Sequence, residues 1–201
     1  MAASFIEQAR RRQIVKATIR VLAREGFPAA SLSRIAREAG ISKSIISYHF
    51  AGKDALFAEV FAHVAESAGA YITPFLEQAG DPAGQIAAYI EHQIAYMAGH
   101  RDALLAIGML ALNLDGAEGG PDYIAASAAE ERAVLVSLIE AGQQAAQFRL
   151  FDPQVMAAVI SKAIESALSE WAWRPETDLT AYASELVQLF SRAMRKGEGD
   201  D

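Results

Sequence analysis

The eight residues from Lys43 to Phe50 hold the side chains best suited to chemistry at a surface. On a helix, with about 100° per residue, Ile46 and Phe50 fall on one side and Ser44 and Tyr48 fall nearly opposite. Ile45 and Ser47 flank that second face. It offers short hydroxyls, one tyrosine and one isoleucine, and no acid stands anywhere in the segment. An ordinary solvated face mixes Glu with Lys. A face without acids, near Lys43 and Lys53, suits a groove lined by phosphates. Hydroxyls donate to phosphate oxygens, and Ile45 fits the methyl group of a thymine. The plainer alternative for Ile45 is a stray apolar residue at the surface. For His49 the two alternatives are a phosphate contact and an internally bonded histidine.

Other chemistries lack their residues. The chain has no cysteine, which excludes disulfides, Fe–S clusters, thiolate zinc sites and thiol nucleophiles. The histidines His49, His63, His92 and His100 give no ligand pair on one helix face, so no metal is expected. Glu59 and His63 are four apart, which is not the Glu-x-x-His of di-iron bundles, and no His-Glu-x-x-His occurs. Gly52-Lys53-Asp54 lacks both the upstream glycine and the Ser or Thr of a phosphate-binding loop. The glycines at 116, 119 and 120 lack dinucleotide-binding spacing. No catalytic residue, cofactor or enzymatic activity is therefore expected.

The chain that must position the Lys43–Phe50 face has 201 residues, 52% of them hydrophobic and 21% charged. That is enough for one large or two small domains with a real core. No uncharged apolar run approaches about 18 residues, so no membrane span is expected. Glu7 and Arg10–Arg12 occupy the place where a secretory signal would need apolar residues, and the lack of cysteine fits a reducing cytosol, so a cytoplasmic location is expected. Charge is uneven. Residues 1–60 hold ten Lys or Arg against five Asp or Glu, a sum of +5; the rest of the chain sums to −12. A basic head on an acidic body would be drawn to a polyanion by one end only, though a solvated charged surface is the simpler alternative.

Helix formers fill nearly every segment, and the breaks are sharp. Gly26-Phe27-Pro28, Gly40, Ala51-Gly52, Gly80-Asp81-Pro82, Gly99-His100, Phe151-Asp152-Pro153 and Arg174-Pro175 divide the chain. Asp115 to Pro121 is expected to be the most flexible linker after the head, and Gly197–Asp201 to fray. The result is an all-α chain of about nine helices. In the first helix, Ile14, Ala17, Thr18, Val21 and Leu22 make one apolar face. Ser31 can cap the second helix, whose buried stripe is Leu32, Ile35, Ala36 and Ala39. Gly40 can close it in the left-handed conformation, Ile41 plugs the turn, and Ser42 can cap the third helix. Two short helices with a glycine-containing turn make a helix-turn-helix.

The stretch Ala30-Ser-Leu-Ser-Arg-Ile-Ala-Arg-Glu-Ala-Gly-Ile-Ser-Lys-Ser-Ile-Ile-Ser-Tyr-His-Phe50, followed by Ala-Gly-Lys53-Asp-Ala-Leu-Phe57, resembles the signature of TetR-family transcriptional regulators. The end of the preceding helix, Ala23-Arg-Glu-Gly-Phe27, resembles theirs too. The likeness covers about residues 10–60. It implies a helix-turn-helix DNA-binding domain at 1–52 and a ligand-binding and dimerisation domain at 53–201. It also implies double-stranded operator DNA, a small-molecule effector and a second copy of the chain as partners, with repression as the commoner outcome. Carried over, the DNA contacts fall on Ser31, Ser33, Arg34, Ser42, Lys43, Ser44, Ile45, Ser47, Tyr48, His49 and Lys53. This chain departs from the pattern at two of them: Ser44 stands where glycine is frequent, and Ser47 where an aromatic is frequent. Tyr48 is then the candidate aromatic contact to phosphate. The alternative is a helical small-molecule-binding protein or enzyme that does not bind DNA.

In the body, a fourth helix of about Lys53 to Gln78 would be roughly 40 Å long and could lever the head. Tyr89, Tyr96, Met97, Met109 and Trp171 are candidate ligand contacts, the methionines because thioethers adapt to varied shapes. Plain core packing accounts for the same residues equally well. Trp171 and Trp173 lie two apart and so point to different sides of their helix. Val155, Val159, Ile160, Ala163 and Ala167, with Tyr182, Leu186, Leu189 and Phe190, suit either a four-helix bundle between two chains or a core within one.

Overall fold

The computed structural model describes residues 5–114 and 122–196. Among them it has nine α-helices and no strand: α1 (Phe5–Glu25), α2 (Leu32–Ala39), α3 (Lys43–His49), α4 (Lys53–Ala79), α5 (Pro82–Gly99), α6 (Arg101–Leu114), α7 (Asp122–Gln144), α8 (Pro153–Trp173) and α9 (Leu179–Met194). The all-α expectation holds. The linker Asp115–Pro121 and the tail Gly197–Asp201 lie outside the described residues. No helix among the described residues is long and apolar enough to cross a membrane.

The chain forms two compact units. One contains Met1–Glu66 and His100–Ser127; the other contains Ser67–Gly99 and Ala128–Asp201. In the first unit α1 buries Ile14, Ala17, Thr18, Val21 and Leu22, the stripe read from the sequence. Thr18 is tolerated there because its hydroxyl donates to the Ile14 carbonyl at 2.9 Å, so no polar group is left unpaired. A 3₁₀ turn, Phe27–Ala29, follows Gly26, whose φ of +79° lies in the region that favours glycine. Helix α6, expected in the body, packs on α1 through Ala103, Ala106 and Leu110, which recur at helical spacing. That contact joins residues about ninety positions apart, and nothing local in the sequence announces it.

In the second unit α5 buries Ile86, Tyr89, Ile90, Ile94, Tyr96 and Met97 and packs against α8 and α9. Asp152 and Asp178 cap α8 and α9. The Asp152 carboxylate accepts from the Gln154 and Val155 amides, and that of Asp178 accepts from the Thr180 and Ala181 amides. The end of α7 is held by a close approach. The Gly142 carbonyl accepts from the amides of Gln147 and Phe148, at 2.9 and 3.2 Å, and the Phe148 ring folds back onto the glycine. A Cβ at position 142 would lie 2.1 Å from that ring.

The apolar residues of α8 and α9 divide between two faces. Ile160, Ala167, Leu186 and Phe190 are buried within the chain. Val155, Val159 and Leu189 are exposed, and Ala163 and Tyr182 are half-buried. The sequence pattern merges these faces because both sides of each helix carry apolar residues.

Candidate nucleic-acid interface

Three short elements position the candidate surface. Ser31 caps α2, its Oγ accepting from the Arg34 amide at 3.2 Å. At the other end Gly40 is left-handed, with φ +67°. Its amide donates to the Arg37 carbonyl, and the Ile41 amide donates to that of Ala36 at 3.0 Å. This Schellman closure turns the chain sharply enough to start α3 three residues later. Of the expected α2 stripe, Ile35, Ala36 and Ala39 are buried, whereas Leu32 at the rim is only half-buried. One capping expectation fails. Ser42 stands at the N-cap of α3, but its hydroxyl makes no bond to the helix amides. It pairs instead with the Ser44 hydroxyl at 2.8 Å, a competitor supplied by the serine two residues on.

The two faces of α3 fall as the sequence predicts. Ile46 is fully buried and Phe50 nearly so. Ser44, Ser47 and Tyr48 are exposed, Tyr48 to 79%, and Ile45 keeps 36% of its surface in solvent. Among the described residues this side is left facing solvent. Lys43 is exposed at the start of α3. Lys53, at the start of α4, rests its ammonium over the rings of Phe27 and Phe57, at 5.0 and 5.2 Å. His49 is half-buried, edge-on to Tyr48, with its Nδ1 buried and unpartnered among the described residues.

Ser31 and Ser33 are exposed on α2. Arg34 is engaged within the chain: its guanidinium donates to both carboxylate oxygens of Glu25 and, at 3.1 Å, to Glu38. These contacts, Glu25 first, hold Arg34 above its ordinary pKa. Glu38 is held below the usual carboxylate range, first by the hydrogen bond from Arg20 and then by that from Arg34. Glu59 accepts from Arg11 at 2.5 Å. Three of the head's acids are thus neutralised internally, whereas Arg12, Lys16, Arg24, Arg37 and Lys43 are exposed with no carboxylate partner among the described residues.

Arg11 is the residue that sequence reasoning missed. Its position off the apolar face marks it only as a surface charge. In the structure its Nη1 donates to the His49 carbonyl at 2.7 Å and its Nη2 to Glu59, while its guanidinium lies 4.4 Å from the centre of the Phe50 ring. One side chain of α1 therefore satisfies a terminal carbonyl of α3 and ties it to α4. The pair is about one-third exposed, so screening weakens its ionic component. The carbonyl bond and ring contact carry the rest. Arg11→Ala should lower the unfolding free energy by about 1.5 kcal/mol, read as a lower urea midpoint at unchanged slope. It should also weaken binding to all DNA sequences alike, because it loosens α3 without touching its outer face.

The candidate ligand contacts belong to both units. Tyr89, Tyr96 and Met97 are buried in the second unit, where Trp171 is half-buried. Met109 belongs to the first unit, with 36% of its surface exposed. The Tyr89 hydroxyl donates to Glu131 at 3.2 Å, and burial, then the Glu131 charge, push the tyrosine pKa far up. Glu131 as a residue is exposed, yet the protein packed around its carboxyl raises that group above the usual carboxylate range. An aromatic set surrounds Tyr71: Tyr96 lies 5.7 Å away between ring centres, Phe75 5.5 Å and His92 6.1 Å, and Phe75 stacks on His92 at 3.5 Å. The recurrence of Tyr71 with Phe75 and of His92 with Tyr96, each four apart on a helix, is the signal that could have found it.

Comparison with known proteins finds likenesses to these features. Residues 14–60 match the model of the bacterial regulatory proteins, tetR family. The HTH-type transcriptional regulator BetI of Brucella canis is 33% identical over 85 residues, which is 42% of this chain and 43% of that protein. BetI of Vibrio campbellii is 42% identical over 69 residues, 34% of this chain and 35% of its own length. The matched part of the chain thus spans well under half the length of these curated relatives. Among solved structures, the fatty acid degradation regulator FadR of Bacillus halodurans superposes with a TM-score of 0.81 at 19% identity, over 98% of this chain and all of that one. FadR of Bacillus subtilis, in complex with stearoyl-CoA, gives 0.79 at 19% identity, over 92% of this chain and 99% of that one. At that identity the likeness is one of fold. Residues 14–60, with their capped second helix, left-handed Gly40 and bare third-helix face, are thus similar to the corresponding part of the bacterial regulatory proteins of the tetR family.

Proposed function

We propose that the protein is a homodimeric repressor that binds a pseudo-palindromic operator and is released from it by a small-molecule effector. The observation that carries this reading is the uncovered side of α3, with Ser44, Ser47, Tyr48 and Ile45 facing solvent and no acid among them. Residues 1–52 serve as the DNA-binding domain and 53–201 as the effector and dimer domain. Ser31, Ser33, Ser42 and Ser44 supply hydroxyls to the phosphates, Lys43 and Lys53 supply charge, and Tyr48 supplies the aromatic contact. Arg34 can join them only by exchanging its bonds to Glu25 and Glu38. Val155, Val159 and Leu189, exposed on α8 and α9, favour pairing of these helices with their copies in a second chain. Tyr89, Tyr96, Met97, Met109 and Trp171 remain the candidates for effector contact. An effector that prefers one conformation lowers operator affinity, and the operator lowers effector affinity by the same factor.

Selection from a randomised duplex pool tests this reading. The enriched sequences should carry two inverted half-sites whose centres lie about 34–36 Å apart or a multiple of that spacing. A pool that yields no enriched sequence would overturn it.

A further inference from the structure

We infer that α3 reads its operator chiefly through a thymine methyl group in each half-site, held against Ile45, and not through hydrogen bonds that identify guanine, adenine or cytosine. This rests on the DNA-binding reading above and names the chemistry of its target.

The major groove is told apart by a few side-chain types: Arg or Lys on guanine, Asn or Gln on adenine, Asp or Glu on cytosine, and apolar groups on the thymine methyl. Helix α3 is Lys43-Ser-Ile-Ile-Ser-Tyr-His49. It contains no arginine, no amide and no acid. Its exposed hydroxyls, on Ser44, Ser47 and Tyr48, can both donate and accept, so they satisfy several base edges or a phosphate equally well. The Ser44 hydroxyl is moreover already paired with that of Ser42. Lys43 is the one residue of α3 with a long flexible cation, but it sits at the first position, next to the buried side. His49 is half-buried with one ring nitrogen enclosed.

That leaves Ile45. Its neighbour Ile46 is fully buried and holds the helix, whereas Ile45 lies in the outward arc with Ser44 and Tyr48 and keeps 36% of its surface in water. Three acids of the head are occupied within the chain, Glu25 and Glu38 by Arg34 and Glu59 by Arg11. A branched aliphatic group on an otherwise hydroxyl-lined face has one apolar partner in the major groove, the C5-methyl of thymine.

The test replaces thymine by uracil, one position at a time, in the duplex enriched from the random pool. Uracil keeps every hydrogen-bonding group and removes only the methyl. For the full-length protein, one position per half-site should lose about fourfold in affinity, and both together about fifteenfold. Ile45→Ala should bind the thymine duplex as weakly as the native protein binds the uracil one, and should show no further loss with uracil. Circular dichroism should be unchanged, so that the loss reads the missing contact and not a lost fold. If every uracil duplex binds native protein normally, or if Ile45→Ala keeps the full uracil penalty, the methyl assignment is wrong while DNA binding stands. If no duplex is enriched at all, the regulator reading fails and this inference falls with it.

Discussion

Raising salt from about 50 to about 200 mM should reduce the affinity of the full chain for the proposed operator a thousandfold or more, in the range of about 10³ to 10⁵. Each phosphate neutralised by a lysine or arginine releases condensed counterions, so the logarithm of the affinity falls linearly with that of the salt concentration. The whole chain carries −7, which alone would predict repulsion from DNA. The head reverses this. Its Glu25, Glu38 and Glu59 are engaged by Arg34, Arg20 and Arg11, while Arg12, Lys16, Arg24, Arg37 and Lys43 stay exposed. In the proposed dimer, two heads with about three to five phosphate contacts each give a slope of the required steepness. Fluorescence anisotropy over a salt series measures it directly. A slope near zero would mean that the exposed cations do not meet phosphates.

Gly142→Ala should lower the unfolding free energy by about 3 kcal/mol, although it adds a single methyl group to a good helix position. The added carbon would lie 2.1 and 2.2 Å from two ring atoms of Phe148. That ring is 5% exposed and cannot simply swing into water without losing its burial. Its amide is also fixed by the Gly142 carbonyl. Phe148→Leu in the same chain should restore part of the loss, since a shorter side chain gives the new methyl room. The two substitutions would then be non-additive in urea unfolding. An unchanged midpoint for Gly142→Ala would show that the ring yields freely.

Sequence alone made the head legible because its chemistry is local. The cap at Ser31, the stripe Ile35–Ala39, the left-handed Gly40 and the opposed faces of α3 all arise within the twenty residues from Ser31 to Phe50, and each has one strong physical explanation. Errors came where two local partners compete: Ser42 had a choice between a helix amide and the Ser44 hydroxyl. Long-range features were hidden. Arg11 bonds to the His49 carbonyl across 38 positions, and the packing of α6 on α1 spans more. In the body, burial of Tyr96 or Met97 follows from apolarity whether the neighbour is protein or effector, so pattern cannot separate the two. The mixed list for α8 and α9 has the same origin: Val159 and Ile160 are adjacent in sequence but one is exposed and the other buried.

Helix α3 has seven residues, too few to hold itself together in water. Two inward side chains and one guanidinium secure it. Held by so few contacts, it is expected to open at a lower free-energy cost than the core beneath it. Part of the free energy of meeting DNA therefore goes into stilling this small helix before any base is read. Affinity and selectivity become separable quantities: stiffening the hinge at Gly40 or the grip of Arg11 would tighten hold on every sequence, while leaving untouched the preference for one over another.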